Sequence, residues 1–113
     1  MITIYHNPRC SKSRSCNTYL SHLDEEVKVV NYFNDPFTVN SLKKVIRMLG
    51  FSPIDLVRKN EQIWKQQFKG RSLSDLEIIK AMVTHPKLIE RPIVVKAGKA
   101  VIARPLENVQ QIL

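Results

Sequence analysis

The chain has 113 residues, 43% of them hydrophobic and 25% charged, with a formal net charge of +8 and a pI of about 9.8. That size suits one domain with one modest core, and no apolar run approaches the ~18 residues that a membrane-spanning helix needs. The positive balance asks for an anionic partner, but there is no zinc-finger spacing, no aromatic RNA-binding pattern and no long basic block, so nucleic acid is not the expected partner.

Residues 2–5, ITIY, alternate and are rich in β formers, which predicts a first strand. The opening MITIYHNP has no basic region ahead of its apolar run and no small-residue cleavage site, so it reads as structure and not as a signal peptide. Asn7-Pro8 breaks the strand. A helix follows over 12–22, with Cys16, Tyr19, Leu20 and Leu23 on one face. VKVVNYF, 27–33, is a second strand, which makes the opening a βαβ unit. Thr38 is placed to cap a helix whose apolar face is Leu42, Val45, Ile46 and Leu49, with Gly50 at its C′ position. Ser52-Pro53 starts a short helix, another helical piece covers 61–68, and Ser74 with Glu77 forms a capping box for a helix over 75–84. PIVV (92–95) and AVIA (100–103) pair as a hairpin across KAGK, and a last helix covers 106–113. The expected fold is α/β, and the whole chain, 1–113, reads as one domain with a helical stretch at about 38–85 between the second and third strands.

Chemistry concentrates in HNPRCSKSR, residues 6–14. Cys10 sits between a strand and a helix start, where free N–H groups and the helix dipole favour a thiolate. Arg9, Lys12 and Arg14 add positive charge, Ser11 and Ser13 offer hydroxyls, and His6 is near enough in sequence to face the same loop. Each lowers a cysteine pKa, and the thiolate is the nucleophile. The same donors would hold an oxyanion. The competing reading is a small inert loop residue. Cys16 belongs to a helix face and reads as core. Six residues of helix would separate it from Cys10 by ~9 Å of rise, against the ~7 Å that a disulfide spans, and the position of a resolving cysteine holds Ser13. Two cysteines in a chain of this size point to reduced thiols and a cytoplasmic location. Arg58, Arg91 and Arg104 are candidate oxyanion ligands, since guanidinium is a planar multidentate donor. Arg91 and Arg104 each precede a proline, which holds them extended; ordinary surface arginines are the alternative. His22 and His85 have no metal-ligand spacing, and no metal site is expected.

HNPRCSKSR, LVRKNE, ERPIVV and ARPLENV together resemble the ArsC family, the glutaredoxin-linked arsenate reductases, and the resemblance runs from Ile2 to Leu113. It implies a thioredoxin-like fold with a mixed four-stranded sheet and a cis peptide before Pro92. It also implies an oxidoreductase that reduces arsenate to arsenite. Cys10 would form the thiolate–arsenic intermediate, Arg58, Arg91 and Arg104 would bind the oxyanion, and His6 and Ser13 would support the thiolate by charge and hydrogen bonding. Glutathione would be the co-substrate and glutaredoxin the protein partner, with no bound cofactor, no membrane association and a monomeric state. The well-studied arsenate reductases carry Gly-Thr after the cysteine, where this chain has Ser11-Lys12, a variant that resembles the housekeeping-type relatives of the family. The alternatives are a thiol oxidoreductase of the same family acting on another substrate and an Spx-like regulator that binds RNA polymerase. Spx proteins carry a Cys-x-x-Cys switch, which Ser13 interrupts here.

Overall fold

A computed structural model describes residues 1–113. The chain divides into two compact units, 1–36 with 91–113, and 37–90. The first holds four strands, β1 (Ile2–His6), β2 (Val27–Asn31), β3 (Ile93–Lys96) and β4 (Lys99–Ile102), in the sheet order β2-β1-β3-β4. β1 runs parallel to β2, with Ile4 opposite Val29, and antiparallel to β3, with Ile4 opposite Val94. β3 and β4 close the sheet as an antiparallel hairpin.

The period of two along β1 decides what packs where. Ile2 and Ile4 are fully buried and share a cluster with Val94, with Cys16 and Leu20 of helix α1 (Ser11–Ser21), and with Ala103 and Val109. Cys16 is thus a core residue, and burial pushes its thiol up to about 11. β2 stops at Asn31, two residues short of the expected Phe33. The Asn31 side chain accepts the Phe33 N–H at 3.1 Å and its carbonyl accepts Asp35 N–H at 2.9 Å, so an Asx turn outcompetes continued pairing. The last segment, Leu106–Gln111, is a 3-10 helix and not an α-helix.

The second unit is helical. α2 (Val39–Leu49) is capped as the sequence indicates: Thr38 and Ser41 exchange side-chain and backbone bonds at 2.9 and 3.0 Å, and Gly50 takes φ 71°. α3 (Gln62–Gln67) is short and buries Trp64. α4 (Asp75–Thr84) opens on reciprocal bonds between Ser74 and Glu77 at 3.0 and 3.2 Å. Short 3-10 turns at Pro53–Leu56 and Pro86–Leu88 flank it in contact, and Val57 bridges to Ile89. No helix is long and apolar enough to cross a membrane.

The hairpin turn has two left-handed residues, Ala97 at φ 51° and Gly98 at φ 77°. Two such residues are what a tight hairpin requires, and glycine supplies one freely. Ala97 carries a Cβ against the following carbonyl, which costs ~1–2 kcal/mol. Asn tolerates this region, so Ala97→Asn is expected to stabilise the protein by about 0.5–1 kcal/mol, read from the shift of the urea unfolding midpoint. An unchanged or lower midpoint would show that Ala97 bears no such cost.

Candidate active site

The loop between β1 and α1 is organised by Asn7, whose groups bond three ways. Its carbonyl accepts Cys10 N–H at 3.0 Å, its Oδ1 accepts Arg9 N–H at 3.0 Å, and its own N–H donates to Ser13 Oγ at 2.9 Å. Cys10 then stands at the N-cap of α1 in extended conformation, φ −95° and ψ 123°. Extended backbone at an N-cap turns the side chain toward the free amides of the first helical turn. Ser13 is completely buried, and its Oγ lies 2.5 Å from His6 Nδ1. With one hydroxyl hydrogen and a donor already supplied by Asn7, the Ser13 side chain is committed to the loop and to His6. What Ser13 offers the sulfur is its backbone N–H.

The electrostatics at Cys10 follow from this packing. Partial burial pushes the thiol pKa up, but the N–H groups of Ser13 and Lys12 and the Arg91 guanidinium pull harder in the other direction, so the balance lies below the ordinary thiol value. Arg104 adds a donor, with Nη2 at 3.5 Å from Sγ. Both arginines come from Arg-Pro junctions, and both junctions, Arg91-Pro92 and Arg104-Pro105, are cis. They are held side by side because Ala103 N–H donates to Pro92 O at 2.9 Å, one step beyond the hairpin pairing. Asn108 secures the outgoing chain, with Nδ2 at 3.1 Å from Ile102 O and 3.4 Å from Arg104 O. Arg91 Nε and Nη1 are buried with no hydrogen-bond partner. A buried donor left unpaired costs ~1–3 kcal/mol, so an oxyanion at these atoms would recover a standing penalty.

His6 is itself largely buried, and burial together with the nearby Arg14 guanidinium pushes its imidazole below the ordinary value of 6.5. The ring is therefore uncharged at neutral pH, and it acts as a hydrogen-bonding partner of Ser13. Positive charge at the sulfur comes from the guanidinium groups. Arg58 lies in the helical unit, where its N–H donates to Leu88 O at 2.7 Å and its Nη1 is buried without a partner. No group of three or more His, Cys, Asp and Glu side chains is placed to hold a metal ion. Asn7 and Asn108 were not among the residues expected here. Asn-Pro is a known turn starter and signals the first, whereas nothing local signals that Asn108 reaches back to Arg104.

A mixed four-stranded sheet, a cysteine at the start of the first helix and a helical stretch between the second and third strands define a thioredoxin-like fold. The chain belongs to the ArsC family, whose pattern matches residues 5–112. It is 44% identical to the Escherichia coli protein YfgD, which is uncharacterized, with the alignment covering 99% of this chain and 96% of that one. It is 37% identical to the arsenate reductase of Neisseria meningitidis serogroup B, over 99% and 97% of the two chains. Among solved structures, the arsenate reductase from Vibrio cholerae superposes with a TM-score of 0.93 at 41% identity, covering 99% of this chain and 97% of that one.

Two measurements probe the site without any substrate. Iodoacetamide alkylation followed against pH should show Cys10 reacting with a midpoint below the free-thiol value of ~8.5, while Cys16 stays unreactive until far higher pH. Equal reactivity would remove the special environment of Cys10. The second concerns stability. The unfolded chain protonates His6 near 6.5 and the folded chain only at lower pH, so His6 contributes stability that is complete above 6.5 and is lost as the pH falls through that window. Urea midpoints should drop there, and His6→Asn should flatten the slope; an unchanged slope would mean that the ring is as easily charged in the fold as outside it.

Proposed function

We propose that this protein is an arsenate reductase that works with glutathione and glutaredoxin in the cytoplasm, as a monomer with no bound cofactor. The observation that carries this reading is the unpaired pair of buried donors on Arg91 beside a cysteine of lowered pKa. An activated nucleophile next to donors without a partner is what attack on an oxyanion requires. The relatives named arsenate reductase support the choice of arsenate.

In this scheme Arg91 and Arg104 bind arsenate, together with Arg58, which is assigned from the family resemblance. The Cys10 thiolate attacks arsenic(V), and an arsenate oxygen leaves as water after protonation. The thiol of glutathione then attacks arsenic in the Cys10 adduct, and a second oxygen leaves as water. A glutaredoxin thiol attacks the glutathione sulfur, forming a glutaredoxin–glutathione disulfide as that sulfur–arsenic bond breaks and its electron pair reduces arsenic to oxidation state +3. Water then cleaves the Cys10–arsenic bond to release arsenite and the Cys10 thiol. His6 and Ser13 hold the loop so that the amides of Lys12 and Ser13 stay directed at the sulfur. A second reading keeps this thiol chemistry and changes the oxyanion. The exposed Lys12, within the Ser11-Lys12 pair that replaces Gly-Thr, is the feature that favours it.

A coupled assay with arsenate, glutathione, glutaredoxin, glutathione reductase and NADPH tests the proposal. Arsenate-dependent NADPH loss is expected, abolished by Cys10→Ser and largely retained by Cys16→Ser. Arg91→Ala should remove a charge-assisted contact worth about 1.5–3 kcal/mol, or about 10- to 150-fold in kcat/KM. Arg58→Ala should also weaken arsenate binding. A flat trace with arsenate would reject it as substrate, and equal losses in the two cysteine variants would reject the single-cysteine scheme.

A further inference from the structure

The oxyanion reading leaves most of the positive charge unused. The helical unit carries ten Lys and Arg against five Asp and Glu, a surplus of five within the chain's +8. That unit also has a cavity of about 270 Å³, with an apolar floor of Phe68, Leu73 and Ala81. The floor is stiffened by an aromatic run: Trp64 stacks on Phe68 at 5.5 Å, and the His85 ring meets the edge of Phe68 at 6.0 Å. Arg71 stands over the Phe68 ring with its guanidinium 5.9 Å from the centroid, its Nη1 bonded to Gln67 O at 3.0 Å. Lys80 forms the other side of the mouth.

Neither cation has an ion-pair partner, for the single salt bridge in the structure joins Lys96 to Glu25. The carboxylate at the rim, Glu77, accepts the Ser74 N–H at 3.0 Å, and the Ser74 bonds together with the nearby charges of Arg71 and Lys80 hold it below the ordinary carboxylate value, so it offsets part of their charge without a direct ion pair. The mouth thus presents two cations and one carboxylate, a net positive rim over a hydrophobic floor, a combination that suits an apolar group flanked by carboxylates. Arg71 covers the Phe68 face on which a nucleobase would stack, which disfavours nucleic acid. Exposed Lys65 and Lys69 lie in the same stretch of chain, so the charge extends past the cavity and suits a partner with several carboxylates more than a small monoanion.

We propose that the Phe68, Leu73 and Ala81 cavity is a docking point for an acidic protein segment, which inserts one aliphatic or aromatic side chain between Arg71 and Lys80 while its carboxylates pair with those two cations. The proposal does not depend on the substrate of the Cys10 chemistry.

Trp64 is the only tryptophan, and its stacking on Phe68 makes its emission a reporter of the cavity. The test titrates the full chain with a short blocked peptide alternating glutamate and leucine, following Trp64 emission and the amide NMR signals of Phe68 and Ala81. A saturable change is expected. Arg71→Glu with Lys80→Glu should weaken it about tenfold or more, whereas Lys43→Glu with Lys44→Glu, which removes the same charge from α2, should leave it nearly unchanged. All four side chains are exposed, and thermal unfolding of each variant checks that the fold persists. Several outcomes would each overturn the proposal: no saturable change in either signal, equal weakening by both double variants, equal binding when the peptide's leucines are replaced by alanine, or binding of oligothymidylate through Arg71 and Lys80 in place of the peptide.

Discussion

A negative sulfur at the head of a helix needs more donors than the helix alone supplies. The amides of Lys12 and Ser13 lie next to Cys10 in sequence, but the cations that complete its surroundings, Arg91 and Arg104, come from the other end of the chain. Much of the first unit serves to bring those ends together. β1 occupies an inner position in the sheet, and its other neighbour besides β2 is β3. The strand that leads into Cys10 therefore lies against the strand that follows Arg91. The bond from Ala103 to Pro92 keeps Arg104 in step with Arg91. Pairing of distant strands, usually described as scaffolding, here delivers charge.

Beneath the sulfur, the fully buried Ser13 hydroxyl is shared by Asn7 and His6. A buried hydroxyl with satisfied neighbours fixes a loop more firmly than exposed contacts do, because any displacement leaves a polar group unpaired in a dry place. The same dryness keeps His6 uncharged. Its contribution is structural support to the turn, and the site's charge is left to guanidinium groups, which burial does not neutralise.

Much of this was legible in the sequence because the signals were local. Thr38, Gly50, Ser74 and Glu77 mark helix ends by side-chain chemistry that acts within a turn, and the structure places the caps there. Cys10 could be singled out because its loop gathers basic and hydroxyl residues within a few positions. Features that depend on competition or burial were not legible. Asn31 ends β2 early because its side chain captures a backbone amide that pairing would have used. Ala97 adopts a conformation that its own type disfavours, set by the twist of the flanking strands. The unpaired donors of Arg91 arise from the packing around them, and no property of an Arg-Pro pair announces them. The site assignments for Arg58, Arg91 and Arg104 therefore rested on the family resemblance. The geometry supplies an independent reason to look at Arg91 and Arg104.

Cys16 is sealed in the core with a strongly raised pKa, and Ser13 stands where a resolving cysteine would be. Cys10 is then a thiol with no internal partner. Sulfenic acid or a mixed disulfide formed on it has no neighbouring thiol to release it and persists until an outside thiol arrives. The lifetime of any oxidised form is thus set by the thiol concentration of the surroundings and not by the fold. A sulfenic acid left without outside thiol is open to further oxidation that thiol cannot reverse, so the isolation of Cys10 ties its survival to the thiols around it.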